Sequence, residues 1–193
     1  MLAPKHYAYT FVALVAVGSL AIACGPINTP TAAQPGTGGE AAGGAGEVSL
    51  PYADSRFHYR IDGPGKMTPN ADGTASFIGP SERLEVSIVQ GASASDPGAL
   101  ASQDIKSLGA SAQSFHLVSN AATVTIGGHR VTRFTYTWNA GTSTVTGKAI
   151  ALTSVRYYVP KDSTTVAVIT YGTVSNQFDP QGADDVASTF KWQ

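Results

Sequence analysis

An α+β fold, an antiparallel β-sheet meander covered by helices, is predicted by three features of this 193-residue chain. Beyond residue 48, short runs alternate apolar and polar residues with the period of two that a strand with one buried face requires. Two later segments open with Asp-Pro and then repeat apolar residues at helical spacing. Between the runs stand paired glycines and polar, proline-containing clusters of the kind that reverse a chain.

In order along the chain, Phe57, Tyr59 and Ile61 alternate with Arg56, His58 and Arg60, and Leu84, Val86 and Ile88 with Arg83, Glu85 and Ser87. At Ile126-Gly127-Gly128-His129 the paired glycines supply the positive φ angles of a tight primed hairpin. The strand after it places Phe134, Tyr136 and Trp138 on one face and Arg133, Thr135 and Thr137 on the other, and Asn139-Ala140-Gly141 closes it. A segment around Ile150 and Leu152 leads to Val155, Tyr157 and Val159. Pro160-Lys161-Asp162-Ser163 then turns the chain into Val166 and Val168.

In Asp96-Pro97 the aspartate can cap free amides, and proline suits the first helical position, where its missing donor costs nothing. Ala101, Ile105 and Leu108 form the stripe of that helix and Gly109 ends it. Asp179-Pro180 repeats the signal, with Ala183, Val186, Ala187 and Phe190 at i, i+3, i+4 and i+7. A helix with one narrow apolar stripe needs a sheet with a complementary apolar face. No internal repeat is visible.

Ahead of this domain, Lys5 and His6 precede an uncharged run over residues 7–23, shorter than the roughly 20 residues a spanning helix needs. It stops at Ala21-Ile22-Ala23, just before Cys24, the one cysteine of the chain. Small residues before a cleavage point mark processing. Leu20-Ala21-Ile22-Ala23-Cys24 resembles a bacterial lipobox, which implies diacylglyceryl transfer to the Cys24 sulfur, cleavage before Cys24 and acylation of the new amino terminus. The competing readings are an uncleaved anchor and a secreted chain whose cysteine happens to fall there. The organisation expected is a signal peptide over residues 1–23, lipidated Cys24 with a flexible linker over 24–49, and a folded domain over 50–193. Residues 25–47 are Gly-, Ala-, Pro- and Thr-rich with Ile27 as their one bulky aliphatic side chain, too little to offset ordering entropy. As a random coil they would span about 25–30 Å. Stable anchoring needs more than one acyl chain, which lipoprotein maturation supplies.

Phe57-His58-Tyr59-Arg60-Ile61 followed by Pro64, the Gly128-centred hairpin leading to Phe134-Thr135-Tyr136, the Tyr157-Tyr158-Val159 strand and the closing Val186-Ala187-Ser188-Thr189-Phe190-Lys191 resemble a PsbP/Mog1-like domain over roughly residues 50–193. After its early proline that family commonly has a tryptophan, where this chain has Met67. The resemblance implies an antiparallel sheet sandwiched by helices, a lipoprotein in many bacterial members, and an accessory or binding role. PsbP supports the oxygen-evolving centre and Mog1 binds a small GTPase; no residue here carries either role.

A formal charge of −1 and 13% charged residues argue against a nucleic-acid binder, which needs a basic face. A single cysteine excludes an intramolecular disulfide and a cysteine-rich zinc site. His58, His116 and His129 have no second ligand at i+2, i+3 or i+4. They are expected beside strands or turns, with His116 alternatively on a sheet face. No G-x-S-x-G elbow occurs, and Ser93, Ser95 and Ser102 fit loop and helix-start positions. Asp184-Asp185 is the one adjacent carboxylate pair, but neighbouring helical residues diverge and do not face one site. Near a helix start the pair favourably meets the dipole. Asp62-Gly63-Pro64-Gly65 lacks the lysine-serine ending of a phosphate loop and fits a turn. Tyr157 and Tyr158 point to opposite faces, so one ring is exposed in a two-layer sheet, or both are buried if helices cover both sides.

The expected function is a membrane-tethered extracytoplasmic lipoprotein, a protein-binding or accessory module of an envelope complex at the cell membrane. No enzyme activity, cofactor, metal or nucleic acid is expected. A small-ligand or cell-wall binding lipoprotein is the second reading, and an enzyme built from dispersed polar residues the third.

Overall fold

The structure, a computed structural model, describes residues 49–69 and 74–193. The leader, the lipobox with Cys24 and the linker as far as residue 48 lie outside the described residues. The elements are β1 (Ser49–Asp54), β2 (Tyr59–Pro64), β3 (Lys66–Pro69), β4 (Ala75–Ile78), β5 (Glu82–Gln90), α1 (Pro97–Ser111), β6 (His116–Ile126), β7 (His129–Thr142), β8 (Ala149–Asp162), β9 (Thr165–Val174), α2 (Pro180–Ser188) and β10 (Lys191–Trp192). One sheet has seven strands in the order β3-β4-β5-β9-β8-β7-β6, and a second has three, β1-β2-β10.

All pairs are antiparallel, but the expected single meander is two meanders. β3-β4-β5 and β6-β7-β8-β9 are joined by α1, which carries the chain across one face so that β5 pairs with β9 along its whole length. This makes β9 a central strand, and its run Val166-Ala167-Val168-Ile169 is buried on both faces. Tyr157 and Tyr158 are both fully buried, because the sheet is covered on both sides.

One face packs against α1 through Phe134, Tyr136, Tyr158, Val166 and Val168. The other carries Val155, Tyr157, Ile169 and Leu84 beneath α2 and the three-stranded sheet. That second sheet approaches closely because β2 has Gly63, where an added Cβ would lie 2.3 Å from the Phe77 ring. Beside it Tyr59 stacks on Phe190, with centroids 5.5 Å apart, and Phe190 meets Trp192 edge-on at 5.0 Å.

Several local expectations are met. Asp96 Oδ1 accepts from the amides of Gly98 and Ala99, and Asp179 Oδ1 from that of Gln181, with proline first in each helix. Gly127 and Gly128 have φ of 56° and 82°, as a type I′ turn requires. Elsewhere the structure differs. Phe57-His58 belongs to a turn, with His58 at φ 56°, because the Asp54 carboxylate accepts from the amides of Arg56 and Phe57 and bends the chain. Asp62-Gly63-Pro64 is strand, and the turn comes at Gly65. Gly109 lies inside α1, whose last bond runs from the Ala112 amide to the Leu108 carbonyl; one interior glycine costs about 1 kcal/mol and does not stop a packed helix. β7 continues past Asn139-Ala140-Gly141 to Thr142. β8 runs through Pro160 to Asp162, whose carboxylate takes both the amide and the hydroxyl of Thr164 and so sets the turn two residues later. Phe190 lies beyond the end of α2, yet it is 3% exposed and completes that helix's apolar face.

Candidate functional site

The polar side chains that the fold brings together form two clusters, one on each face of the seven-stranded sheet. Beneath α2 the Tyr157 hydroxyl donates to Asp184 Oδ1 at 2.8 Å, and Arg133 Nη1 donates to both oxygens of the same carboxylate. Beneath α1 the Tyr158 hydroxyl donates to Asp104 Oδ2 at 2.6 Å, Arg156 Nη1 reaches the same oxygen at 2.9 Å, and Arg156 Nε donates to Thr170 Oγ1 at 3.1 Å. Each helix is thus fixed to the sheet by one aspartate that meets a tyrosine and an arginine. Burial, then the bond to Asp184, pushes the Tyr157 hydroxyl well above the ordinary tyrosine value. Burial does the same to Tyr158, with Arg156 pulling its value down and Asp104 pushing it up. A phenol held neutral beside a paired carboxylate is neither a base nor a nucleophile at neutral pH; these clusters hold helices in place.

Asp184 does not sit where the helix dipole would favour it, because no acidic residue falls in the first turn of α2; it turns onto the sheet instead. Asp185 accepts within the helix from Gln181 Nε2 at 2.8 Å. The histidines do not converge. His58 sits on the β1–β2 turn and its carbonyl accepts from the Gln193 amide, His116 opens β6, and His129 follows the β6–β7 turn; all three are exposed. Among the described residues no group of three or more His, Cys, Asp or Glu side chains could hold a metal. Ser95 Oγ donates to the Ala92 carbonyl and Ser102 Oγ to that of Gly98, as loop and helix-start residues do. The crevice beneath α2, lined by His129, Tyr157 and Phe190 among others, has a volume of only ≈ 10 Å³, room for a single water.

A surface remains. α1 lies over β6, β7 and the near part of β8, and the short 3-10 turn Ala92–Ser95 covers one end of β5 and β9. The rest of that face is bare of any further layer among the described residues. Strand register runs Ile78, Arg83, Gly172 and Ser154 in one row across it as far as Tyr136, which lies under α1, and Val174, Leu152 and Trp138 in the next. Gly172 and Ser154 are buried by their neighbours' side chains, so the open part lies at the ends of these rows. Small residues occupy the centre, where a Cβ on Gly172 would come within 2.8 Å of Ser154 Oγ. Trp138 is held there by its Nε1–H, which donates to Ser154 Oγ at 3.1 Å. At opposite ends stand Ile78, 52% exposed, and Ile150, 37% exposed. β7 and β8 continue past the ends of β6 and β9 as a hairpin arm whose tip carries Val145, 81% exposed. Between arm and sheet lies an open trough of ≈ 370 Å³, lined by Ser143, Thr146, Lys148, Ile150, Val174 and Asn176 among others. Sequence reading missed this surface, because alternation marks an apolar face without showing how far a helix covers it.

No model of a protein family and no curated protein sequence matches the chain. Among solved structures it is similar to the Ran-binding protein Mog1p of Saccharomyces cerevisiae, at 10% identity and a TM-score of 0.51, over 76% of this chain and 96% of that one. A protein of Bacteroides thetaiotaomicron matches over 75% of this chain at 13% identity and a TM-score of 0.51, and this chain spans about half of it, 48%. LpqN of Mycobacterium tuberculosis, described as involved in cell envelope biogenesis, matches at 11% identity and a TM-score of 0.38, over 76% of this chain and 83% of its own. At such identities likeness to Mog1p establishes the fold: mostly antiparallel sheets with two helices in the Mog1/PsbP-like arrangement.

Proposed function

We propose that this protein is an extracytoplasmic lipoprotein, tethered through Cys24, that serves as a binding or accessory subunit of an envelope complex and docks its protein partner on the half of the sheet face that α1 leaves bare. The observation that carries the reading is that this face exposes Ile78 at one end and Ile150 at the other, with the half-buried Leu152, Val174 and the fixed Trp138 on the same face. Exposed bulky side chains grouped on one rigid sheet, with an indole among them, have the composition of an interaction surface. Mog1p, which shares the fold, is itself a binding protein. No helix among the described residues is long and apolar enough to cross a membrane. The anchor in this reading rests on the lipobox-like Leu20-Ala21-Ile22-Ala23-Cys24 alone.

The test is cross-linking and co-purification of the full-length protein from its native membranes, against the double variant Ile78→Asp and Ile150→Asp. A partner held by the wild type and lost from a folded double variant supports the reading; equal capture by both sinks it. For the anchor, Cys24→Ala should leave the longer precursor unprocessed and unacylated, and normal maturation of that variant would refute the lipobox. A second reading, a small-ligand or cell-wall binder, is favoured by the trough beside Lys148 and Asn176. Thermal stabilisation by soluble glycans would support it, since a ligand that binds only the native state raises stability by mass action.

A further inference from the structure

The four sheet edges among the described residues are not protected alike. β10 is two residues long and has Lys191, β3 is four residues with Lys66 and Pro69, and β1 carries Pro51 and Asp54. Short length, charge and proline are the usual devices that keep an edge from pairing with another chain. β6, the outer strand of the seven-stranded sheet, has none of them: it is 11 residues long, HLVSNAATVTI, with no Lys, Arg, Asp, Glu or Pro. Its register against β7 shifts between Leu117 and Ser119 and again between Ser119 and Ala122. Such irregularities bend the first half and protect it against pairing, so that only the second half is an open edge. From Ala122 to Ile126 the register is regular, and Thr123 and Thr125 are exposed.

The turn decides which backbone groups of this stretch are open. In a two-residue primed hairpin the residues flanking the turn, here Ile126 and His129, exchange both hydrogen bonds, and the pattern then alternates. Val124 therefore bonds inward to Val131, whereas the amides and carbonyls of Thr123 and Thr125 face away from β7. An antiparallel strand laid along this edge must bond to those two residues. β6 satisfies that demand itself: with a two-fold axis at Val124, each Thr123 opposes Thr125 of the second copy as a bonded pair, and Val124 opposes Val124 as the close, non-bonded pair. No like charges meet, and threonine pairs and β-branched pairs are favourable cross-strand neighbours.

We propose that β6 is a homodimerisation edge, and that a second copy of this chain pairs with it antiparallel about Val124, continuing the sheet from one subunit into the next. Such an interface is isologous, with the same patch on both subunits, and closes at two copies. It lies at the edge of the sheet, apart from the bare half-face, so each subunit keeps its docking surface.

The test uses the full-length protein in membranes carrying Val124→Cys, exposed to mild oxidant and read on a non-reducing gel. At the close pair the facing Cβ atoms lie about 4.5–5.5 Å apart, close enough for a disulfide after slight adjustment. A covalent dimer is expected for Val124→Cys and for neither the wild type nor Thr144→Cys at the hairpin tip. In the Val124→Cys background, Thr123→Lys with Thr125→Lys sets like charges opposite each other, with about a tenfold loss of dimer expected. Thr123→Lys with Thr125→Glu sets opposite charges there and should retain it. The dichroism of Trp138 and Trp192 checks that both variants are folded. No dimer at Val124→Cys, equal dimer at Thr144→Cys, or equal behaviour of the two charge variants overturns the proposal.

Discussion

Tyr157 and Tyr158 leave the same strand in opposite directions, and what meets them differs. On the Tyr157 side two elements, α2 and the three-stranded sheet, close over the seven-stranded sheet, and the aromatic residues Tyr59, Phe77 and Phe190 fill the space between. On the Tyr158 side a single helix covers part of the face, and the rest carries Trp138, Leu152 and the exposed Ile150 and Ile78. Both sides anchor their helix in the same way, with an aspartate bonded to a tyrosine and an arginine. The pairs are not equivalent in depth, since the Arg156 side chain is 21% exposed and that of Arg133 32%. The lesson is that the doubly covered face supplies most of the packing, while the singly covered face leaves apolar side chains exposed.

The largest effect is expected where that difference is greatest. Phe190→Ala removes a buried ring from contact with Tyr59 and Trp192 and should cost about 3–5 kcal/mol in urea unfolding. A loss below about 1 kcal/mol would mean that the α2 side is not the main core. Next come the anchors. Asp104→Ala leaves the deeper Arg156 and the fully buried Tyr158 without their shared partner and should cost about 3 kcal/mol. Asp184→Ala, with Arg133 nearer to water, should cost about 1–2 kcal/mol, and the reverse order would break the contrast in depth.

Alkaline pH sharpens the comparison further. Both tyrosines are raised above their ordinary value, so above about pH 10 the unfolded chain loses protons that the folded chain keeps, and stability must fall as pH rises. Below that pH their contribution is fully present. Tyr157→Phe and Tyr158→Phe should each flatten the fall seen in denaturant midpoints between about pH 9.5 and 11; an unchanged slope in both would contradict the assignment. The smallest expected effect is on the bare half-face, where Ile150→Ser should change stability by no more than about 0.5 kcal/mol while weakening partner capture from membranes.

Much of this was legible in residues a few positions apart. Asp96-Pro97 and Asp179-Pro180 start helices because a carboxylate and a fixed φ act on the next turn of chain. Gly127-Gly128 reverses the chain because of its own φ angles, and the alternation about Phe134 and Tyr136 follows from the pleat. The anchors were less legible: Asp184 and Asp185 look alike in sequence, and only the direction in which the helix is laid down turns one onto Arg133 and leaves the other beside Gln181.

By itself, then, the sequence determined the long alternating strands β5, β7, β8 and β9, the helix starts, the hairpin turn and the opposite directions of Tyr157 and Tyr158, since each depends on local sterics and on the two-residue and 3.6-residue periods. The short β1, β3, β4 and β10 show no period of their own. Tertiary structure decided that β5 joins β9, that β1, β2 and β10 form a sheet of their own, and that α1 covers only part of its face. Those outcomes depend on contacts between residues as far apart as Asp62 and Thr189, and on the reach of a helix across a sheet. No local pattern encodes either, because the free energy that selects them comes from the area buried between whole elements.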